Sequence, residues 1–261
     1  MFISKRGVAL LSLDAWKEHA GPKSAIQWVD GRSAKEVARA WLEGDGMTFP
    51  AEVSSALISH KNFGPVQTWR AEPEVKLPFD AFAGEPRNSD LVVHAQDPHG
   101  PYLIAVEAKA DEPFGETVAE ALAAAVDRHL ENSRSNGVVR IEQLVAALLG
   151  PRQTDDPPLK DMRYQLLTAC AGALCEAERL GYARTLMLVH EFVTDKTSDD
   201  RHVRNAEDLN TFAKRLSHGS VTTVHRGGIE GPFAVPGAPL LSAKVALFLG
   251  KVYRSLRTRD F

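Results

Sequence analysis

The segment Tyr102-Leu103-Ile104-Ala105-Val106-Glu107-Ala108-Lys109 constrains this chain more than any other. It is apolar or aromatic at every position up to Glu107, without the alternation of a half-solvated strand, so it belongs in a sheet covered on both faces. Turn chemistry, Asp97-Pro98-His99-Gly100, precedes it, and Leu91-Val92-Val93-His94-Ala95-Gln96 before that reads as its partner strand. With Pro98 and His99 as the central turn residues, Asp97 faces Gly100 and Asp90 faces Glu107.

A doubly covered sheet needs helices, and the flanking sequence offers them. Ser33-Ala34-Lys35-Glu36 matches a capping box, and Val37, Ala40 and Trp41 follow at helical spacing, predicting a helix over 33–43 that Gly44-Asp45-Gly46 ends. Pro50 suits the first turn of a second helix reaching His60. Val66 to Phe79 mixes β-formers with two prolines and is expected at a sheet edge. Val118, Leu122, Val126 and Leu130 make one apolar helical stripe, and Ile141, Leu144, Val145 and Leu148 another. After a proline-rich loop at 151–158, a long helix is expected over 159–180, with Met162, Leu166, Leu167, Cys170, Leu174 and Ala177 inward and Gly181 as its cap. Arg184 to Val193 reads as a second buried strand, a helix falls near 205–217, and Val221–Val224 and Val245–Tyr253 are later strand candidates. The pattern is a mixed α/β (α+β) fold in one domain, 1–261: a helical extension over 1–49, a core over 50–193 and an α/β extension over 194–261.

Composition narrows the function classes. With 261 residues, 44% apolar and 25% charged, the chain is neither disordered nor a disulfide scaffold. A net charge of -3 leaves no histone-like excess, so contact with nucleic acid must come from a local patch. Cys170 and Cys175 point to different faces of a helix, are not spaced for zinc, and fit a reducing cytoplasm. No apolar run is long enough to serve as a signal peptide or to enter a membrane.

The chemistry gathers where the hairpin opens. Asp90 and Glu107 are opposed, and Lys109, two residues on, shares their face. Opposed carboxylates repel, and a hard divalent cation, Mg²⁺ or Mn²⁺, is the usual remedy. Such an ion polarises a phosphoryl oxygen and activates water, while a lysine stabilises developing negative charge or acts as a base. Acid-x-lysine triplets occur twice, Glu74-Val75-Lys76 and Glu107-Ala108-Lys109, about what 34 acids and 12 lysines produce by chance. Only the second ends an apolar strand opposite another acid; the first lies between Pro73 and Pro78 without such a partner.

Asp90 followed after sixteen residues by Glu107-Ala108-Lys109 resembles the PD-(D/E)XK nuclease superfamily, the restriction-endonuclease-like fold, across residues 50–193. Ser89 stands where the family's name has proline. The resemblance implies a core running helix, three strands, helix, strand. It also implies that Asp90, Glu107 and the backbone carbonyl of Ala108 bind Mg²⁺ or Mn²⁺, that Lys109 is catalytic, and that the partner is nucleic acid, DNA foremost. Many such nucleases act as homodimers. Glu52 is the best-placed acid from the first core helix; Glu36 is already explained by its capping box, and Gln165 falls where some members place a supporting glutamine. The activity so implied is metal-dependent phosphodiester hydrolysis; the competing expectation is a catalytically silent nuclease-like domain that binds a protein or nucleic acid.

The remaining polar features have plainer readings. His190 closes an apolar strand as a core histidine, and Asp111 and Glu112 read as a solvated turn. The basic residues Arg201 to Arg204, and Lys251, Arg254, Arg257 and Arg259, read as solvated faces that can also touch a phosphate backbone.

Overall fold

A computed structural model describes residues 2–22, 24–43, 48–82 and 86–257. In chain order these form β1 (Phe2–Lys5), β2 (Val8–Ala9), α1 (Leu13–Ala20), α2 (Ser33–Trp41), α3 (Ala51–Ser59), β3 (Thr68–Lys76), β4 (Asn88–Asp97) and β5 (Gly100–Lys109). Then follow α4 (Val118–Glu131), α5 (Gly137–Leu149), α6 (Tyr164–Arg179), β6 (Arg184–Val193), α7 (Asp199–Leu216), β7 (Gly228–Phe233) and β8 (Ala246–Ser255). The strands make one mixed sheet in the order β2-β1-β3-β4-β5-β6-β8-β7. β3, β4 and β5 form an antiparallel meander, and β6 and β8 continue parallel to β5. This is a mixed α/β fold with helices on both faces of the sheet.

Alternation along the central strands sorts the two layers. Leu103 and Ala105 of β5 join the cluster roofed by α4, α5, α6 and α7, whereas Tyr102, Ile104 and Val106 join the one covered by α1, α2 and α3. β6 is buried at all ten positions, as its apolar run requires. The turn between β4 and β5 holds the expected register: Asp97 pairs with Gly100 and Leu91 with Val106. Asp97 Oδ1 accepts from His99 N at 2.8 Å, and Gly100, at φ 105°, takes a backbone shape that other residues avoid.

Several expectations need correction. The segment over 66–79 is not at an edge: Phe2 and Ile3 pair with Arg70 and Ala71, so the helical N-terminal extension also supplies two strands. Pro73 lies past that overlap, and Lys5 Nζ donates to the carbonyls of Pro73 and Glu74 at 2.7 and 2.9 Å. The 33–36 capping box does not form. Ser33 lies inside α2 and donates to Glu112 Oε1, while the Glu36 carboxylate accepts from Gly31 N and pairs with Arg39. Gly44-Asp45-Gly46 lies outside the described residues. A capping box closes α4 instead, between Thr117 and Glu120. The α4 stripe is buried only at Val118; the helix packs through Ala121 and Ala125, whose small side chains allow close approach, and leaves Leu122, Val126 and Leu130 outward.

The long helix over 159–180 is a short 3-10 turn, Leu159–Asp161, followed by α6. Its end is as expected: Tyr182 N donates to Ala177 O and Gly181 N to Glu178 O, with Gly181 at φ 71°. The 221–224 segment is not a strand, because Val221 N bonds to Ser217 Oγ and Val224 N to Asn210 Oδ1, tying it to α7.

Candidate active site

The register that pairs Leu91 with Val106 carries one step further to Asp90 and Glu107. Both then project to the face roofed by α6, as does Lys109. The β4–β5 ladder stops at Leu91, and the side chain takes over from the main chain: Ala108 N donates to Asp90 Oδ2 at 2.7 Å. The N–H and carbonyl of one strand residue project to the same edge, so the carbonyl of Ala108 faces this opening as well.

Glu107 and Lys109 are buried, at 4% and 6% exposure. Lys109 Nζ lies 3.0 Å from Glu107 Oε1 and donates to Gln165 Oε1 and Pro113 O, each at 3.3 Å. The same ammonium stands 4.9 Å from the centre of the Phe114 ring. Gln165, in the first turn of α6, donates through Nε2 to Glu107 Oε1, so one amide holds the acid and the amine together. Arg87 Nη2 donates to Glu107 Oε2 at 2.8 Å.

Glu74 joins from β3. Pro73 pairs with Leu91 and Val75 with Ser89, which sets Glu74 at the position facing Asp90. Its backbone sits at φ 51°, a left-handed conformation that glutamate rarely adopts and that interrupts the ladder there. Asn88 Nδ2 donates to Glu74 Oε2 at 3.0 Å. Three carboxylates from three adjacent strands therefore stand in a row with two cations.

The row divides electrostatically. Burial, and then the negative charge of Glu107, push the Asp90 carboxyl up to about 8, so near neutrality it holds a proton. Burial raises Glu74 as well, with Glu107 adding to it. Burial also opposes ionisation of Glu107, but Lys109 and Arg87 beside it outweigh that and keep its carboxyl below the usual range. Asp90 Oδ1 takes no hydrogen bond among the described residues.

Carboxylate and carbonyl oxygens of this kind suit a hard divalent cation. They make a row and not a cage: among the described residues, no group of three or more His, Cys, Asp or Glu side chains is arranged to hold a metal ion. Mg²⁺ commonly takes one or two protein carboxylates and completes its shell with water and substrate oxygens. Asp90 and Glu107 fit that requirement, and the proton on Asp90 is what a cation would displace.

Glu52 does not join the group. It lies on α3, beyond the opposite face of the sheet, where His190 Nε2 is 2.9 Å and Arg254 Nε 2.8 Å from its Oε1. Burial is opposed there by those two partners, and its carboxyl falls to about 2. His190 projects to that face because it alternates with Glu191, which pairs on the other side with Lys251, His202 and Arg226. Glu36 is likewise remote, bound to Arg39. Asp111 is no solvated turn residue: it is buried, 3.1 Å from Arg32 Nη1 and 3.3 Å from Arg201 Nη1. The basic residues expected to face solvent are largely occupied. Lys251 is buried on Glu191, Arg254 holds Glu52 and Glu43, and Arg257 pairs with Asp199. Arg259 lies outside the described residues.

Sequence reasoning missed Arg87 and set Glu74 aside. Arg87 ends the loop entering β4, three positions before Asp90, and that proximity was the available signal. Glu74 becomes visible only once β3 is known to pair with β4.

Residues 9–255 match a family model described as Domain of unknown function (DUF6946). No curated protein and no solved structure matches the chain.

Proposed function

The chain belongs to the DUF6946 family, whose description assigns no activity, and we propose from its own residues that it is a metal-dependent nuclease hydrolysing phosphodiester bonds in nucleic acid, DNA foremost. One observation carries the reading: an acid kept protonated by burial and by a neighbouring carboxylate stands beside a buried, braced lysine. Charge is arranged there against the stability of the fold, which is characteristic of functional sites. The order α3, β3, β4, β5, then α6 and β6 after the inserted α4 and α5, supports a PD-(D/E)XK core.

Asp90 and Glu107, with the Ala108 carbonyl, would hold Mg²⁺ or Mn²⁺. Bound there, the ion would polarise a phosphoryl oxygen and lower the pKa of water. Lys109 has the role of meeting negative charge that develops on the phosphate, and its position is fixed by Gln165, Pro113 and Phe114. Arg87 adds a second cation against the same acid. Glu52, held on the other face, has no part in this step.

A second reading, a silent nuclease-like domain that binds nucleic acid or protein, draws on one fact: both oxygens of Glu107 are already engaged. Purified protein incubated with plasmid, linear duplex, single-stranded DNA and RNA in Mg²⁺ or Mn²⁺ separates the two. The nuclease reading expects cleavage that needs the ion and falls about a hundredfold or more in Lys109→Met. Binding without cleavage of any substrate leaves the silent reading.

A further inference from the structure

Beside the carboxylate row lies a cavity of about 310 Å³ whose walls include Phe79, Phe82, Phe114 and Tyr164. That volume is at the small end of the roughly 300–1,000 Å³ typical of ligand sites, room for one small molecule and not for a duplex. Two of its lining residues, Arg87 and Gln165, are the ones that bond Glu107. A third, Phe114, carries the Lys109 ammonium against its ring. Whatever fills this space therefore adjoins the proposed hydrolytic centre directly.

The lining is suited to a flat π-system. The Arg140 guanidinium lies 6.0 Å from the Phe79 ring centre and 5.9 Å from that of Phe82, and its Nη2 donates to Asp80 Oδ1 at 2.9 Å. Aromatic and guanidinium planes are the surfaces on which bases stack without regard to sequence. Arg87 supplies an independent sign pointing to a ligand: its Nε is buried and, among the described residues, has no hydrogen-bond partner, while its Nη2 is committed to Glu107. Buried donors are rarely left so.

From this we infer that the cavity holds an unpaired nucleobase next to the phosphodiester to be cut, so that the substrate is single-stranded or has a base extruded from its duplex. The inference deepens the nuclease reading and rests on it for the phosphate. A paired, stacked base cannot enter a pocket of this size, and a base already unpaired enters at the least expense in stacking. Phe79, Phe82 and Tyr164 hold the ring, and the Arg87 Nε–H meets a ring or carbonyl acceptor on it.

The test uses binding in EDTA, where no cleavage intervenes. Titration calorimetry compares deoxyadenosine 5′-monophosphate with 2-deoxyribose 5-phosphate on wild type, Phe82→Ala and Phe82→Tyr. The expected result is that the nucleotide binds about tenfold or more tightly than the sugar phosphate, that Phe82→Ala loses this advantage, and that Phe82→Tyr keeps it. Equal binding of the two probes, no binding of either, or a folded Phe82→Ala that binds like wild type overturns the inference, as does tryptophan amide binding as tightly as the nucleotide. Should Phe82→Ala melt early, single-stranded oligonucleotides with and without abasic sites decide on wild type alone. Cleavage that ignores the missing bases removes the base pocket and leaves the nuclease standing. Base-dependent binding without cleavage under any condition does the reverse.

Discussion

The β4–β5 hairpin carries a carboxylate at each end, Asp97 buried and Asp90 half-buried, and the two are treated in opposite ways. At the turn, Asp97 accepts from Gly64 N, His99 N and both terminal nitrogens of Arg184, at 2.8–3.1 Å. Arg184 also reaches the carbonyls of Asn62 and Gly100 and lies against the rings of Phe63 and Tyr102. Burial would raise Asp97, but these partners prevail and its carboxyl lies below the usual range. At the open end, Asp90 has, among the described residues, one donor, Ala108 N, and two acidic neighbours, and its carboxyl lies far above that range. A fold needs only the first arrangement. The second keeps a proton on Asp90 that a bound cation would displace, and the proposed nuclease reading draws on this contrast.

Removing the turn-end partner should have the largest effect. Asp97→Ala strands the Arg184 charge in the interior, for a loss of about 3–5 kcal/mol and a fall in melting temperature of about 10 °C by thermal unfolding. If Asp97→Ala melts like wild type, the two ends do not differ as described.

Next comes Lys109→Met, expected to lower cleavage about a hundredfold or more, equivalent to about 2.7 kcal/mol of transition-state stabilisation, while the protein still binds nucleic acid. Loss of binding together with cleavage would instead make Lys109 a general anchor for the backbone phosphate.

The pH dependence gives a third contrast of opposite sign. Asp97, depressed in the folded state, contributes stability above the unfolded value of about 3.9, and that contribution is lost as pH falls through its folded value. Asp90, raised to about 8, has its stabilising contribution in full below the unfolded value and loses it as pH rises toward 8. Asp90→Asn keeps an acceptor for Ala108 N and removes the titration. In denaturant melts without divalent ions it should gain on wild type steadily between pH 5 and pH 8; a constant difference would mean that Asp90 is already ionised throughout.

The smallest effect belongs to Glu52→Gln. Separated from Lys109 by the sheet, it should leave cleavage unchanged and touch only its pairing with Arg254 and His190. A large loss of activity would bring α3 back into the site.

The hairpin, its register and the Asp90–Glu107–Lys109 face were legible in the sequence because a two-residue turn and an unbroken apolar strand leave little freedom. Gln165 was legible only by resemblance. Glu74 was not, since its place opposite Asp90 depends on β3 pairing with β4 and on a strained φ that no local pattern announces. The inner position of β3 was hidden for the same reason: its cover, β1, is four residues long and more than sixty positions away. Asp111 and Lys251 read as solvated because charge pattern alone does not say that Arg32, Arg201 and Glu191 will meet them.

The central claim, that Asp90 and Glu107 are a cation site, is tested most directly by thermal unfolding of wild type and Asp90→Asn at neutral pH, each with EDTA and with saturating Mn²⁺. The expected result is a rise of about 5 °C or more for wild type with Mn²⁺ and none for Asp90→Asn. An equal rise in both proteins, or no rise in wild type, would contradict it.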